Sequence, residues 1–144
     1  MGSVAMLGSD KIIRPDAEAC CLSCLLVDDD AFCRMMVQRA IEKTRLDITV
    51  ETATSLAEAR EKLMSAFYDL VLLDHHLPDG FGAGFLVEMA EGGVPRWTRA
   101  AILTGLREHA EQELGKGRPE LLVLDKSDFG PEVLEDVAQS CCAA

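Results

Sequence analysis

Short apolar runs and longer amphipathic segments alternate along the chain. Leu22, Leu25, Leu26 and Val27 make one run, Leu70 to Leu73 a second, Ala100 to Leu103 a third and Leu121 to Leu124 a fourth. Runs of this length suit strands covered on both faces, as in a parallel sheet. Asp47 to Ala53 differs, alternating Ile48 and Val50 with polar residues, and reads as a further strand rich in β-branched side chains. Between the strands the apolar period becomes helical: Phe32, Met36, Ala40 and Cys33, Val37, Ile41 up to about Lys43, then Leu56, Ala59 and Leu63 to about Ala66. Later helices are carried by Phe85, Leu86 and Met89, by Leu106, Ala110 and Leu114, and by Val133, Leu134 and Val137.

The boundaries have their own chemistry. Asp30 is placed to cap the first helix, Ser55 and Glu58 match a capping box, and Pro131 suits a first helical turn. Gly80, Gly82 and Gly84 read as a loop, Gly92, Gly93 and Pro95 break the third helix, and Gly115 to Pro119 forms another loop. The thin stripe of Leu106, Ala110 and Leu114 predicts a weakly packed, mobile fourth helix. Five strands alternating with five helices mean right-handed crossovers, hence one α/β domain with a parallel sheet and helices on both faces. Residues 1–20 lack either period and are expected to be a flexible arm, Met1-Gly2-Ser3 resembling a tag-derived remnant; the domain spans 21–140 and residues 141–144 are a tail.

Composition narrows the function. The formal net charge of −11 over 144 residues disfavours direct binding to nucleic acid or anionic lipid. With no apolar run long enough to cross a bilayer and no secretion signal, a cytoplasmic protein is expected, and its six cysteines are read as free thiols. Cys21 and Cys24 lie three apart on a strand and point to opposite faces, a poor arrangement for a shared metal or a redox pair.

With the strands aligned, Asp28, Asp29, Asp74, Thr104 and Lys126 all fall at carboxyl ends, the edge where ligands bind in open α/β sheets. Asp74 ends an apolar strand and meets the turn His75 to Gly80. Clustered carboxylates repel, and a hard divalent cation with few protein ligands, Mg2+, relieves the repulsion. Such a set supports attack by Asp74 on a phosphoryl group, Lys126 contacting the phosphate, with Thr104 and the Gly105 amide drawn to the product. His75 and His76 look like a metal pair, but adjacent side chains on an extended segment diverge, which disfavours zinc. His76 is better placed to border the phosphoryl site and tune hydrolysis.

The motifs LLVDDD, LVLLDHHLPDG, ILTG and LDKSD, in this order, resemble the receiver domain of two-component response regulators over about residues 22–140. Thr104 lies 30 residues after Asp74, and Lys126 a further 22, in keeping with that family. The resemblance implies a flavodoxin-like, doubly wound fold with strand order 2-1-3-4-5; a stand-alone regulator of the chemotaxis type is the leading reading, and a domain of a longer regulator or hybrid kinase would have the same sequence features. It implies Asp74 as phosphoacceptor, Asp28, Asp29, Asp74 and the backbone carbonyl of His76 as magnesium ligands, Thr104 as switch hydroxyl and Lys126 as phosphate contact. The implied partners are a histidine kinase or a histidine phosphotransfer protein, and a downstream protein on the face of the fourth helix, fifth strand and fifth helix. Catalysis beyond self-phosphorylation and self-dephosphorylation is not expected. Two residues depart from the family. Val123 takes the place of an aromatic switch residue, and Ser127 that of a proline after the lysine, which puts the usual coupling and the loop shape in question. The competing readings are an aspartyl-phosphate phosphatase of the haloacid dehalogenase kind, against which His76 stands where a second acid belongs, and an unphosphorylated docking module, against which the full residue set argues.

Overall fold

The computed structural model describes residues 21–92, 96–115, 117–118 and 120–142, so the expected arm over residues 1–20 lies outside the described residues. Strand β1 (Cys21–Val27) leads into helix α1 (Ala31–Lys43), followed by β2 (Asp47–Ala53), α2 (Leu56–Ser65) and β3 (Tyr68–Asp74). A small hairpin, β4 (His76–Leu77) and β5 (Gly80–Phe81), precedes α3 (Gly82–Glu91). The chain continues through β6 (Trp97–Thr104), α4 (Arg107–Leu114), β7 (Leu121–Asp125), a 3-10 turn (Lys126–Asp128) and α5 (Pro131–Cys142). The five long strands form one parallel sheet in the order β2-β1-β3-β6-β7, which is the expected 2-1-3-4-5 once the hairpin is set aside.

The apolar runs are continuous because the central strands are covered twice. Leu25, Val27, Val71, Leu73 and Ile102 face α2, α3 and α4 through Ala59, Leu63, Leu86 and Ala110. Leu26, Leu70, Leu72 and Leu103 face α1 and α5 through Val37, Ile41, Leu134 and Ala138. Each fully buried leucine adds about 1.5–3 kcal/mol of transfer free energy, so β3, with Leu70 to Leu73 wholly buried, is the most firmly held strand.

Several expectations need correction. Helix α1 has two apolar stripes and both are covered only toward its C-terminal half: Val37, Ala40 and Ile41 are buried, while Phe32 and Met36 are 61% and 45% exposed. The Gly80 to Gly84 loop is instead the hairpin and the first turn of α3, with Gly80 at φ 148°, a conformation that other residues rarely adopt. Leu106 precedes α4 as its N-cap residue and is exposed, leaving Ala110 and Leu114 as the buried residues of that helix. The helix α5 runs through Cys141 and Cys142, so the domain does not end at residue 140; the Cys141 thiol donates to the Asp69 carbonyl at 3.3 Å.

Asp30 caps α1 as expected, accepting from the Phe32 N–H at 2.9 Å. Ser55 caps α2, accepting from the Glu58 N–H at 3.1 Å, but the Glu58 carboxylate closes the box on the Thr54 N–H at 2.8 Å. A further carboxylate arrives from the hairpin: Asp79 accepts from the Leu56 and Ala57 N–H groups at 2.9 and 3.0 Å. These bonds hold the Asp79 pKa below its ordinary value, so this tie is present above the unfolded carboxylate value and is lost as pH falls through the lower folded one. On acidification below about pH 4, hydrogen exchange at Leu56 and Ala57 is expected to accelerate before that of β3. Simultaneous loss of protection in both segments would contradict a local tie.

Candidate functional site

Adjacent parallel strands carry the chemistry to one edge in a stepped register. Asp74 pairs with Leu103, so Thr104 follows one residue beyond it; Thr104 pairs with Asp125, so Lys126 follows in turn. Val27 pairs with Leu73, which sets Asp28 beside Asp74. One carboxylate oxygen from each of Asp28, Asp29 and Asp74 lies within 4.8 Å of the others. The Lys126 ammonium completes the set, with Nζ 3.2 Å from Asp74 Oδ1.

Each group is held by its own backbone environment. The Asp28 N–H donates to the Ala53 carbonyl at 3.0 Å, continuing the β1–β2 ladder past the strand end. Asp28 Oδ1 accepts from the Asp30 N–H at 2.9 Å, and the Arg34 guanidinium donates to the Asp28 carbonyl at 2.7 Å. Burial pushes the Asp28 carboxyl up, and the nearby Asp74 adds to the shift against the Asp30 N–H and Lys126, which oppose it. At Lys126, burial favours the neutral amine, but the charge and hydrogen bond of Asp74 outweigh it and hold the ammonium above its ordinary value. Lys126 Nζ also lies 3.9 Å from the Cys33 thiol of α1.

Thr104 is buried, and its Oγ1 accepts from the Leu106 N–H at 2.8 Å. Its own proton is therefore available to an acceptor at the sheet edge. Gly105 is exposed beside it. Ser127 replaces the expected proline geometry with a turn of its own: its N–H and hydroxyl donate to Asp125 Oδ1 at 2.9 and 2.8 Å, and no cis peptide bond occurs among the described residues. Val123 is half-buried, pairs with Ile102 and packs against the core layer below α4.

The predicted set of Asp28, Asp29, Asp74 and Lys126 is thus brought together, with Thr104 and Gly105 on the adjoining strand end. His76 is exposed in the hairpin, where it pairs with Phe81. The two histidines do not diverge as expected: their ring centroids lie 5.1 Å apart, edge to face, and His75 has a role that the sequence did not suggest. Its ring is fully buried, and Nε2 lies 2.7 Å from Nδ1 of His109 on α4. Gly82, expected in a loop, opens α3 instead. Its N–H donates to the His75 carbonyl at 2.7 Å, and a Cβ there would come within 2.5 Å of the Asp74 carbonyl, so only glycine lets α3 start against the acceptor loop.

Three hard oxygen donors with one lysine beside them suit a small divalent cation, which would offset the burial, and the lesser repulsion from Asp74, that push the Asp28 carboxyl up. This fold and this site define a doubly wound α/β module with acidic residues and a lysine at the carboxyl edge of its sheet. The profile described as response regulator receiver domain matches residues 24–118, and the chain belongs to that family. Solved structures agree on the fold. The signal receiver domain of an HD domain-containing protein from Pseudomonas fluorescens Pf-5 is 21% identical, with 95% of this chain and 93% of that chain covered at a TM-score of 0.69. A CheY-like receiver domain from Methylobacillus flagellatus is 20% identical, covering 83% and 98% at 0.68. The chemotaxis response regulator CheY4 of Vibrio cholerae is 26% identical, covering 83% and 98% at 0.61. No curated protein sequence matches the chain.

Proposed function

We propose that this receiver domain accepts a phosphoryl group on Asp74 from a histidine kinase or histidine phosphotransfer protein and signals through altered binding of a protein partner. The observation that carries the reading is the Asp74 carboxylate, buried at a strand end within reach of two further carboxylates and bonded to Lys126 at 3.2 Å. A carboxylate oxygen of Asp74 bonds to phosphorus as the donor's bond to phosphorus breaks, and the leaving group keeps the electron pair and takes up a proton from solvent. Lys126 moves from the free carboxylate to the phosphoryl oxygens, and the Thr104 hydroxyl and the Gly105 N–H donate to them. Water later attacks the phosphorus, restoring the carboxylate and releasing inorganic phosphate.

Asp28, Asp29, Asp74 and the carbonyl of His76 are the groups to hold Mg2+, which when bound supplies positive charge beside the transferring oxygens. Phe32, Met35 and Met36, all exposed on the α1 turns that follow the carboxylates, give a phosphodonor protein an apolar surface. The downstream partner belongs on the α4, β7 and α5 face, where the start of α4 has no side-chain cap of its own and a modest free energy can shift the population. The net charge of −11 opposes direct nucleic acid binding. No helix among the described residues is long and apolar enough to cross a membrane, in keeping with a proposed cytoplasmic role.

The test is incubation with a small acyl phosphate donor, with Mg2+ or with a chelator, followed by intact-mass measurement. One added phosphoryl group per chain is expected with Mg2+, and almost none in the same time without it. Steady release of phosphate from small phosphomonoesters, with no protein-bound intermediate, would overturn the receiver reading in favour of a phosphatase.

A further inference from the structure

The sequence contains three histidines, and all three gather around Phe81 behind the acceptor loop. The His75 ring stacks on Phe81 at 5.1 Å between centroids, and the Phe81 and His109 rings are 5.0 Å apart. The Ala83 N–H donates to His75 Nδ1 at 3.4 Å, so that nitrogen is the acceptor. The neutral ring then carries its proton on Nε2 and donates it to His109 Nδ1 at 2.7 Å. Through its carbonyl and Nδ1, His75 is also tied to the Gly82 and Ala83 N–H groups at the start of α3. The residue directly after Asp74 thus joins two helices.

The helix at the far end of this bond is short and packs against α3 and β7. Ala110 and Leu114 are its buried residues, no side chain caps its start, and its Arg107–Glu111 ion pair is exposed. Two hydrogen bonds bind its N-terminal end to the site: Leu106 N–H to Thr104 Oγ1 at 2.8 Å, and His75 to His109. Val123, half-buried and without a ring, offers neither a hydrogen bond nor an aromatic lever.

We infer that the His75–His109 hydrogen bond carries the state of Asp74 to α4, as a positioning pair that takes over the coupling Val123 cannot provide. The inference rests on the phosphoacceptor reading of Asp74. Any movement of the acceptor loop toward a phosphoryl group pulls on His75, and the bond passes that movement to the first turn of α4. His109 is exposed on its helix and is not part of either apolar core layer, so a ring that keeps its contact with Phe81 can replace it.

The experiment compares the full chain with His109→Phe, which keeps a ring against Phe81 but removes the acceptor nitrogen. Both are labelled with an acyl phosphate donor and Mg2+, checked by intact mass, and followed by amide shifts. The variant is expected to take up one phosphoryl group and to keep the shift changes at Thr104 and Gly105. Its changes over Arg107 to Leu114 should fall about fivefold or more, the low end of ordinary site-to-site coupling. Labelling of both with an undiminished α4 response would overturn the coupling alone. Absence of labelling in the parent would overturn the phosphoacceptor reading, and the coupling with it.

Discussion

Asp74→Asn is expected to take up no phosphoryl group under conditions that label the parent, while keeping its fold. An amide oxygen is a far weaker nucleophile than a carboxylate, and the variant has no other acid in the same position: Asp28 is held by the Asp30 N–H, and Asp29 is exposed. Asparagine is close in size to aspartate and removes one charge from a crowded site. Three carboxylates become two, so the variant should be no less stable than the parent in thermal unfolding without metal. Labelling equal to the parent would remove Asp74 from its role.

Lys126→Ala has the next largest effect. Its ammonium is 3.2 Å from Asp74 Oδ1, where transferring oxygens develop charge. Deleting one preorganised charge donor slows such reactions by about 10²–10³-fold, so the rate of labelling should fall by that order while the labelled residue stays the same. A time course of intact mass measures it. A rate within about twofold of the parent would mean that Lys126 pairs with Asp74 structurally and takes no part in transfer.

Much of this was legible because parallel strands place their carboxyl ends on one edge. Asp28, Asp74, Thr104 and Lys126 could be aligned from the ends of four apolar runs, and the β2 span of Asp47–Ala53 matched its alternation. The failures have physical causes. In α1, apolar residues occupy two stripes, and periodicity cannot say how far along them the cover reaches; the structure buries Val37, Ala40 and Ile41 and exposes Phe32 and Met36. The hairpin has strands of two residues each, too short for any period. The role of Gly82 depends on the approach of α3 to the Asp74 carbonyl, a tertiary distance with no local sign. His75 and His109 lie 34 residues apart and meet because α4 packs over the acceptor loop. The scarcity of histidine was the signal available, and it does not specify a partner.

Phe32, Met35 and Met36 on α1 and Leu106 before α4 leave apolar side chains exposed on two elements that follow strands of the site. On the proposed reading the first receives the phosphodonor and the second reports the result. Both depend on where the phosphoryl group goes. Borohydride reduces an aspartyl phosphate to homoserine, which marks the acceptor in peptide mass spectra. After labelling with Mg2+ and an acyl phosphate donor, homoserine at position 74 and nowhere else is the predicted result. Homoserine at Asp28 or Asp29, or none in a protein whose mass shows the added group, would contradict the account.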